Sequence, residues 1–156
     1  MVQYSSEEIQ IGKAGQFFCC YKLTIQGFNA WIAPEGLPYD VVVDDNGDLY
    51  RIQVKTTALP LRDVGKSKDI YRFDTRKRKG HRARYNINDC DYFAFVSLDI
   101  EEIAFIKTKN MISKNGNIKT TMDFKSKFKT KESKCKMIQN YPFTPYKRKE
   151  EQYGSA

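Results

Sequence analysis

The sequence predicts an α/β fold built around a mixed sheet. Three observations carry that reading: a capped apolar helix near the start, an Asn-Gly hairpin in the middle, and a late pair of apolar strands. At 156 residues the chain has the length of one domain, which typically holds roughly 100–150 residues.

Residues 5–26 read as the helix. Ser5 or Ser6 caps it, and Glu7 and Glu8 favour the positive end of its dipole. Its apolar positions are Ile9, Phe17, Phe18, Cys20, Tyr21, Leu23 and Ile25, and Gly27 stops it. A short strand, Asn29 to Ala33, leads to a loop from Pro34 to Pro38. Tyr39–Val43 and Leu49–Thr57 are β-rich and are joined across Asn46-Gly47, a strong two-residue hairpin signal. With that turn, Asp45 faces Asp48 and Asp40 faces Gln53. Alternation then puts Val41, Val43, Tyr50, Ile52 and Val54 on a core face. Asp40, Val42, Arg51, Gln53 and Lys55 fall on the other face.

Residues 58–69 read as a loop and Ile70–Thr75 as a strand. Arg76–Arg84 is too polar to pack and reads as a flexible or ligand-facing loop. Tyr92–Leu98 is a buried strand, and Ile103–Lys107 returns as its partner. Beyond Thr108 the chain is Lys-rich, with Met111, Ile112, Phe124, Phe128 and Tyr141 as scattered anchors.

Charge narrows the function classes. Against 27 Lys+Arg stand 19 Asp+Glu, a net charge of +8. Residues 1–61 carry a net −3, residues 62–84 carry +7, residues 85–106 carry −5 and residues 107–149 carry +11. An acidic core with two basic segments points to a polyanion such as nucleic acid. No apolar run reaches the roughly 18–20 residues of a membrane helix, and the N-terminus lacks a signal-peptide pattern. The expected setting is cytoplasmic, close to the nucleoid. Cys19, Cys20, Cys90 and Cys135 lack metal-ligand spacing, with Cys19 and Cys20 reading as core thiols. The single histidine, His81, rules out a His-built zinc site and sits where triad chemistry is implausible.

The hairpin puts a carboxylate, a carboxamide and an ammonium group on one face. Asp40 and Gln53 can offer oxygens to one Mg2+, a hard cation that takes oxygen ligands at about 2.0–2.1 Å, and the Val54 carbonyl is a third donor. Lys55 is placed to orient or deprotonate a water, or to neutralise charge on a phosphorane-like transition state. These are the parts of metal-assisted phosphodiester hydrolysis.

Pro38-Tyr39-Asp40 followed by Gln53-Val54-Lys55 after a hairpin resembles the PD-(D/E)XK nuclease superfamily. The motif there is an Asp at a strand start, then acid-x-Lys on the next strand. The helix with Gly12, Gly15 and Gln16 is similar to the Gly-x-x-x-Glu helix of Holliday-junction-resolvase-like members. Tyr50 to Thr57, with Gln in place of the acid, is most similar to intron-encoded homing endonucleases of this fold. The resemblance covers about residues 8–107 and implies a restriction-endonuclease-like αβββαβ core. It implies Mg2+-dependent cleavage of double-stranded DNA, with Mn2+ as a substitute. Asp40, Gln53 and Val54 are the implied metal ligands and Lys55 the water-assisting residue. Gln16 stands where the helix usually presents Glu, and Glu8, two turns earlier on nearly the same face, is the alternative.

The basic segments then become DNA contacts. Arg72, Arg76, Lys77, Arg78, Lys79, His81, Arg82 and Arg84 form the reading cluster, on a β-ribbon from Tyr71 to Tyr85 with Gly80 at its turn. The ribbon is an insertion, residues 62–85, in a nuclease core of residues 1–107. Lys119, Lys125, Lys127, Lys129, Lys131, Lys134 and Lys136 read as a phosphate brace within an extension of residues 108–156. One site cuts one strand, so a homodimer or a dimer of dimers is expected. A junction resolvase and a non-catalytic DNA-binding protein are the alternatives.

Overall fold

The computed structural model describes residues 6–61, 70–77, 83–126 and 136–145. Its first element, α1 (Glu7–Ile25), begins where the Ser6 hydroxyl accepts a hydrogen bond from the Ile9 N–H. It ends in a Schellman motif. Gly27 turns left-handed (φ 93°), its N–H meets the Thr24 carbonyl at 3.0 Å, and the Phe28 N–H meets the Leu23 carbonyl at 3.1 Å.

Strands β1 (Asn29–Ile32), β2 (Val41–Asp45), β3 (Asp48–Thr57), β5 (Tyr92–Ser97) and β6 (Glu102–Lys107) form one sheet in the order β1-β2-β3-β5-β6. The β3–β5 pair is parallel and the others antiparallel. The hairpin forms in the expected register, with Asp45 opposite Asp48 and Val41 opposite Ile52. Asn46 (φ 52°) and Gly47 (φ 96°) both take the left-handed conformation that a tight two-residue turn needs. A second sheet, in the order β4-β7-β8, is formed by β4 (Ile70–Asp74), β7 (Thr121–Lys125) and β8 (Lys136–Met137).

The large sheet is covered on both faces, and so every residue of β5 is buried. On one face α1 lies over Val41, Val43, Tyr50, Ile52, Val54, Tyr92, Ala94 and Val96. On the other, Phe93 and Phe95 pack against Phe73 of β4 and Phe124 of β7, with ring centroids 5.1 Å apart for Phe73–Phe95 and 5.2 Å for Phe95–Phe124. Aromatic pairs of this kind add about 0.5–1.5 kcal/mol each beyond their buried area.

Three features differ from the sequence reading. The helix buries Gly15, Cys19 and Leu23, while Ile9, Phe17, Tyr21 and Ile25 face outward, each more than half exposed. The cause is close approach: a Cβ placed on Gly15 would fall 1.8 Å from the Thr56 Oγ1, so the helix can lie this close only with no side chain at position 15. The crossover from β3 to β5 carries β4 and, among the described residues, no helix, so the second helix of the αβββαβ order is not seen there. Finally, β4 is not one limb of a Tyr71–Tyr85 ribbon. It pairs with β7, and residues 83–86 form no strand, because burying Tyr71 and Phe73 against the sheet ties β4 to the core. Among the described residues, a backbone bond from the Lys77 N–H to the Ala83 carbonyl joins the two sides of that segment. No described helix is long and apolar enough to cross a membrane.

Candidate active site

The site begins with an interruption of the sheet. Val41 is the register partner of Ile52, yet the Asp40 N–H also addresses Ile52, meeting its carbonyl at 2.9 Å. Two residues against one is the count of a β-bulge, a device that re-aims a side chain and ends pairing. The β2–β3 ladder goes no further, so Val54, registered with Ala94 on the β5 side, has no register partner on the β2 side. The Asp40 carboxylate fills part of that gap: its Oδ2 accepts from the Val54 N–H at 2.9 Å. The same oxygen accepts from the Gln53 Nε2 at 2.7 Å, so the two side chains meet as expected, although their backbones do not pair.

The Val54 carbonyl receives a long bond, 3.3 Å, from the same Gln53 Nε2. The carboxamide nitrogen therefore stands between a carboxylate and a carbonyl. Both neighbours are acceptors, which fixes the amide with its NH2 group inward. An electropositive group occupies the point on which two oxygens converge, and turning the amide over would offer a third oxygen there. A carboxylate, a backbone carbonyl and a carboxamide form the donor set of a hard divalent cation that keeps part of its water. Among the described residues no three His, Cys, Asp or Glu side chains cluster to hold a metal, so any cation at this point depends on these mixed oxygens.

Burial pushes the Asp40 carboxyl up from its ordinary pKa, against the Val54 N–H and the charge of Lys55, which both pull it down. Burial pushes the Lys55 ammonium down, against Asp40 and Asp74. Lys55 leaves β3 on the same face as Gln53, and its Nζ donates to the Arg76 carbonyl at 2.7 Å and lies 4.9 Å from the centre of the Tyr85 ring. Asp40, Gln53, Val54 and Lys55 are thus brought together by one bulge and one strand.

The helix contributes from the other side. Gly15 abuts Thr56, and the negative charge of Asp40 adds to burial in raising the Cys19 thiol. The turn from Gly15 to Cys19 is therefore the part of α1 beside the site, and half-buried Gln16 lies within it. Glu8 sits in the exposed first turn, about 12 Å further along the axis at 1.5 Å per residue.

Three of the four described members of the basic cluster are held by the protein's own carboxylates. Arg72 pairs with Asp123 across the β4–β7 ladder through two 2.8 Å bonds. Arg76 pairs with Asp74, and Lys77 with Asp89 at 3.0 Å. Arg84 is exposed. Arg78, Lys79, His81 and Arg82 lie outside the described residues, as do the turn at Gly80 and Lys127, Lys129, Lys131 and Lys134. Sequence reasoning missed Tyr85 and Cys90, which lie under the site. The Gln53 N–H bonds the Cys90 sulfur, and burial raises that thiol to about 11. Neither residue belongs to a motif, and the only signal for Tyr85 was its place at the end of the basic run.

No curated protein sequence matches the chain. Among solved structures, the bacterial homing endonuclease I-Ssp6803I superposes with a TM-score of 0.66 at 20% identity, covering 87% of this chain and 88% of the other. That likeness shows a shared fold. The sequence profile of the PD-(D/E)XK endonuclease family matches residues 10–144, a span that runs from α1 through the hairpin and β6 to the end of the described C-terminal segment. With the site's Asp40 and its Gln53-Val54-Lys55 run inside that span, the chain belongs to the PD-(D/E)XK endonuclease family.

Proposed function

We propose that this protein is a sequence-specific endonuclease for double-stranded DNA that works with Mg2+, or with Mn2+ in its place, and that it serves as a homing endonuclease. The observation that carries the reading is the convergence of the Asp40 carboxylate, the Gln53 carboxamide and the Val54 carbonyl, with Lys55 on the same strand face. Those three groups would hold the cation. When bound, it acidifies water and polarises the phosphate. The Val54 N–H holds the Asp40 carboxylate beside the Val54 carbonyl, and the Gln53 amide, whose NH2 group now faces Asp40, would turn over to bring its oxygen to the same point. Lys55, with its pKa lowered by burial, exchanges a proton with the attacking water or meets the charge gathering on the phosphate. Gln16 completes the shell from the helix side, with Glu8 the alternative.

Arg72, Arg76, Lys77 and Arg84, with Arg78, Lys79, His81 and Arg82, form the DNA-reading set, and the lysines after residue 108 brace the backbone. Reading by Arg72, Arg76 and Lys77 requires exchange of an internal carboxylate for a phosphate or a base edge. Cutting both strands calls for a homodimer or a dimer of dimers.

The test is incubation of the protein with a plasmid library carrying randomised inserts, with Mg2+ or with EDTA. The expected result is Mg2+-dependent linear product from a narrow set of inserts. Preferential cutting of a four-way junction would move the reading to a resolvase. A second reading, a DNA-binding protein without catalysis, is favoured by Gln at both positions 16 and 53. It stands if neither the native chain nor Gln16→Glu cuts any substrate while duplex affinity is the same with and without Mg2+.

A further inference from the structure

Tyr85 follows the basic segment and is 7% exposed. Its ring stands edge-on to Phe93, with centroids 5.2 Å apart, and Phe93 is fixed in β5 and stacked on Phe95. Two ammonium groups lie over this one ring, Lys55 at 4.9 Å and Lys77 at 5.6 Å from its centre. A half-buried lysine on a four-carbon stem has many rotamers, and something must select one. The Arg76 carbonyl takes one of its three donors. A ring face attracts the charge without consuming a donor. The remaining N–H groups are thus left for water or phosphate. The ring rests on a strand of the large sheet, whereas the carbonyl belongs to a loop.

We propose that Tyr85 is the positioning residue for Lys55: its π-face, buttressed by Phe93, holds the ammonium beside Asp40. Because Lys77 shares the ring and belongs to the basic segment, the seat of Lys55 adjoins the DNA-reading residues. The proposal rests on the reading of Lys55 as part of the active site.

The experiment uses the full chain with 13C-labelled lysine. Lys55 Hε signals are expected upfield from the Tyr85 ring current. Tyr85→Phe keeps that shift and keeps single-turnover cleavage within about twofold of native. Tyr85→Leu loses the shift and about tenfold in rate at unchanged duplex affinity. Pentafluorophenylalanine at position 85 preserves ring shape and packing but reverses the ring's electrostatics, so it holds the fold if the leucine variant does not. It is expected to behave as Tyr85→Leu does. The proposal is overturned if Lys55 Hε is unmoved by Tyr85→Leu or by the fluorinated ring, if those variants cut at the native rate, or if Tyr85→Phe is as impaired as they are. A native chain that cuts nothing overturns the nuclease reading, and the Hε shifts still decide the placement of Lys55.

Discussion

Gln53→Glu tests the cation point most directly. The native amide gives Asp40 a 2.7 Å hydrogen bond from Nε2, and Gln53 is only 8% exposed. A glutamate in its place removes that donor and sets a second carboxylate against the first. Two unit charges about 4 Å apart repel by about 4 kcal/mol at the effective dielectric of a protein site. That repulsion raises the pKa of one carboxyl of the pair well above the ordinary carboxylate range. The folded variant then holds a proton that the unfolded chain releases near pH 4. Its stability therefore matches that of the native protein below pH 4 and falls as pH rises through the raised folded pKa. Above that, the full penalty lowers the melting temperature by roughly 10 °C for a chain of this size. A cation between the two carboxylates cancels the repulsion. The assay is thermal melting from pH 4 to 8.5, in EDTA and in Mg2+. Expected are a pH-dependent loss in EDTA and its recovery in Mg2+. If the variant melts like the native protein in EDTA at pH 8, or if Mg2+ restores nothing, Asp40 and residue 53 do not address a shared cation.

The remaining tests use other parts of the molecule. Gly15→Ala drives a Cβ into Thr56, so stability in urea should fall by about 1–3 kcal/mol despite the better helix propensity of alanine. Asp123→Asn releases Arg72 from its paired carboxylate. Stability should change by less than about 1 kcal/mol, because the pair is partly exposed, while duplex affinity measured by fluorescence anisotropy should rise. Duplex affinity of the native chain should fall linearly on a log–log plot against salt, with a slope of about 0.9 per phosphate neutralised. Asp40 must lose its proton to receive a cation, and burial has raised its pKa. Calorimetric Mg2+ affinity should therefore climb with pH until Asp40 is fully ionised.

How far the site was legible follows from what fixes it. A two-residue Asn-Gly turn sets strand register locally, so the meeting of Asp40 with Gln53, and the shared face of Gln53 and Lys55, followed from counting. The bulge at Asp40 did not, since nothing in Tyr39-Asp40-Val41 marks one extra residue. Helix α1 was legible in its ends, where Ser6 and Gly27 act through local chemistry, and not in its facing. Hydrophobicity favoured burying Phe17 and Tyr21, but closeness to β3 selected Gly15 and Cys19. Strand β7 was hidden because Thr121–Lys125 is five residues long in a lysine-rich stretch, and only its long-range partner β4 stabilises it. The ion pairs of Arg72 and Lys77 were illegible for the same reason: Asp123 and Asp89 are distant in sequence.

The early end of β2 has a further consequence. An antiparallel ladder gains with each rung added, and the next rung would take up the Val54 carbonyl. Sheet completion and ligand capture thus compete for one carbonyl oxygen. Pro38, which has no N–H to give, stands just upstream on the side from which that rung would grow. The proline of the motif can be understood as a stop that keeps a valence open. Variants that stiffen or lengthen this hairpin should gain stability at the expense of the site, so the most stable form of this sheet is not its most useful one.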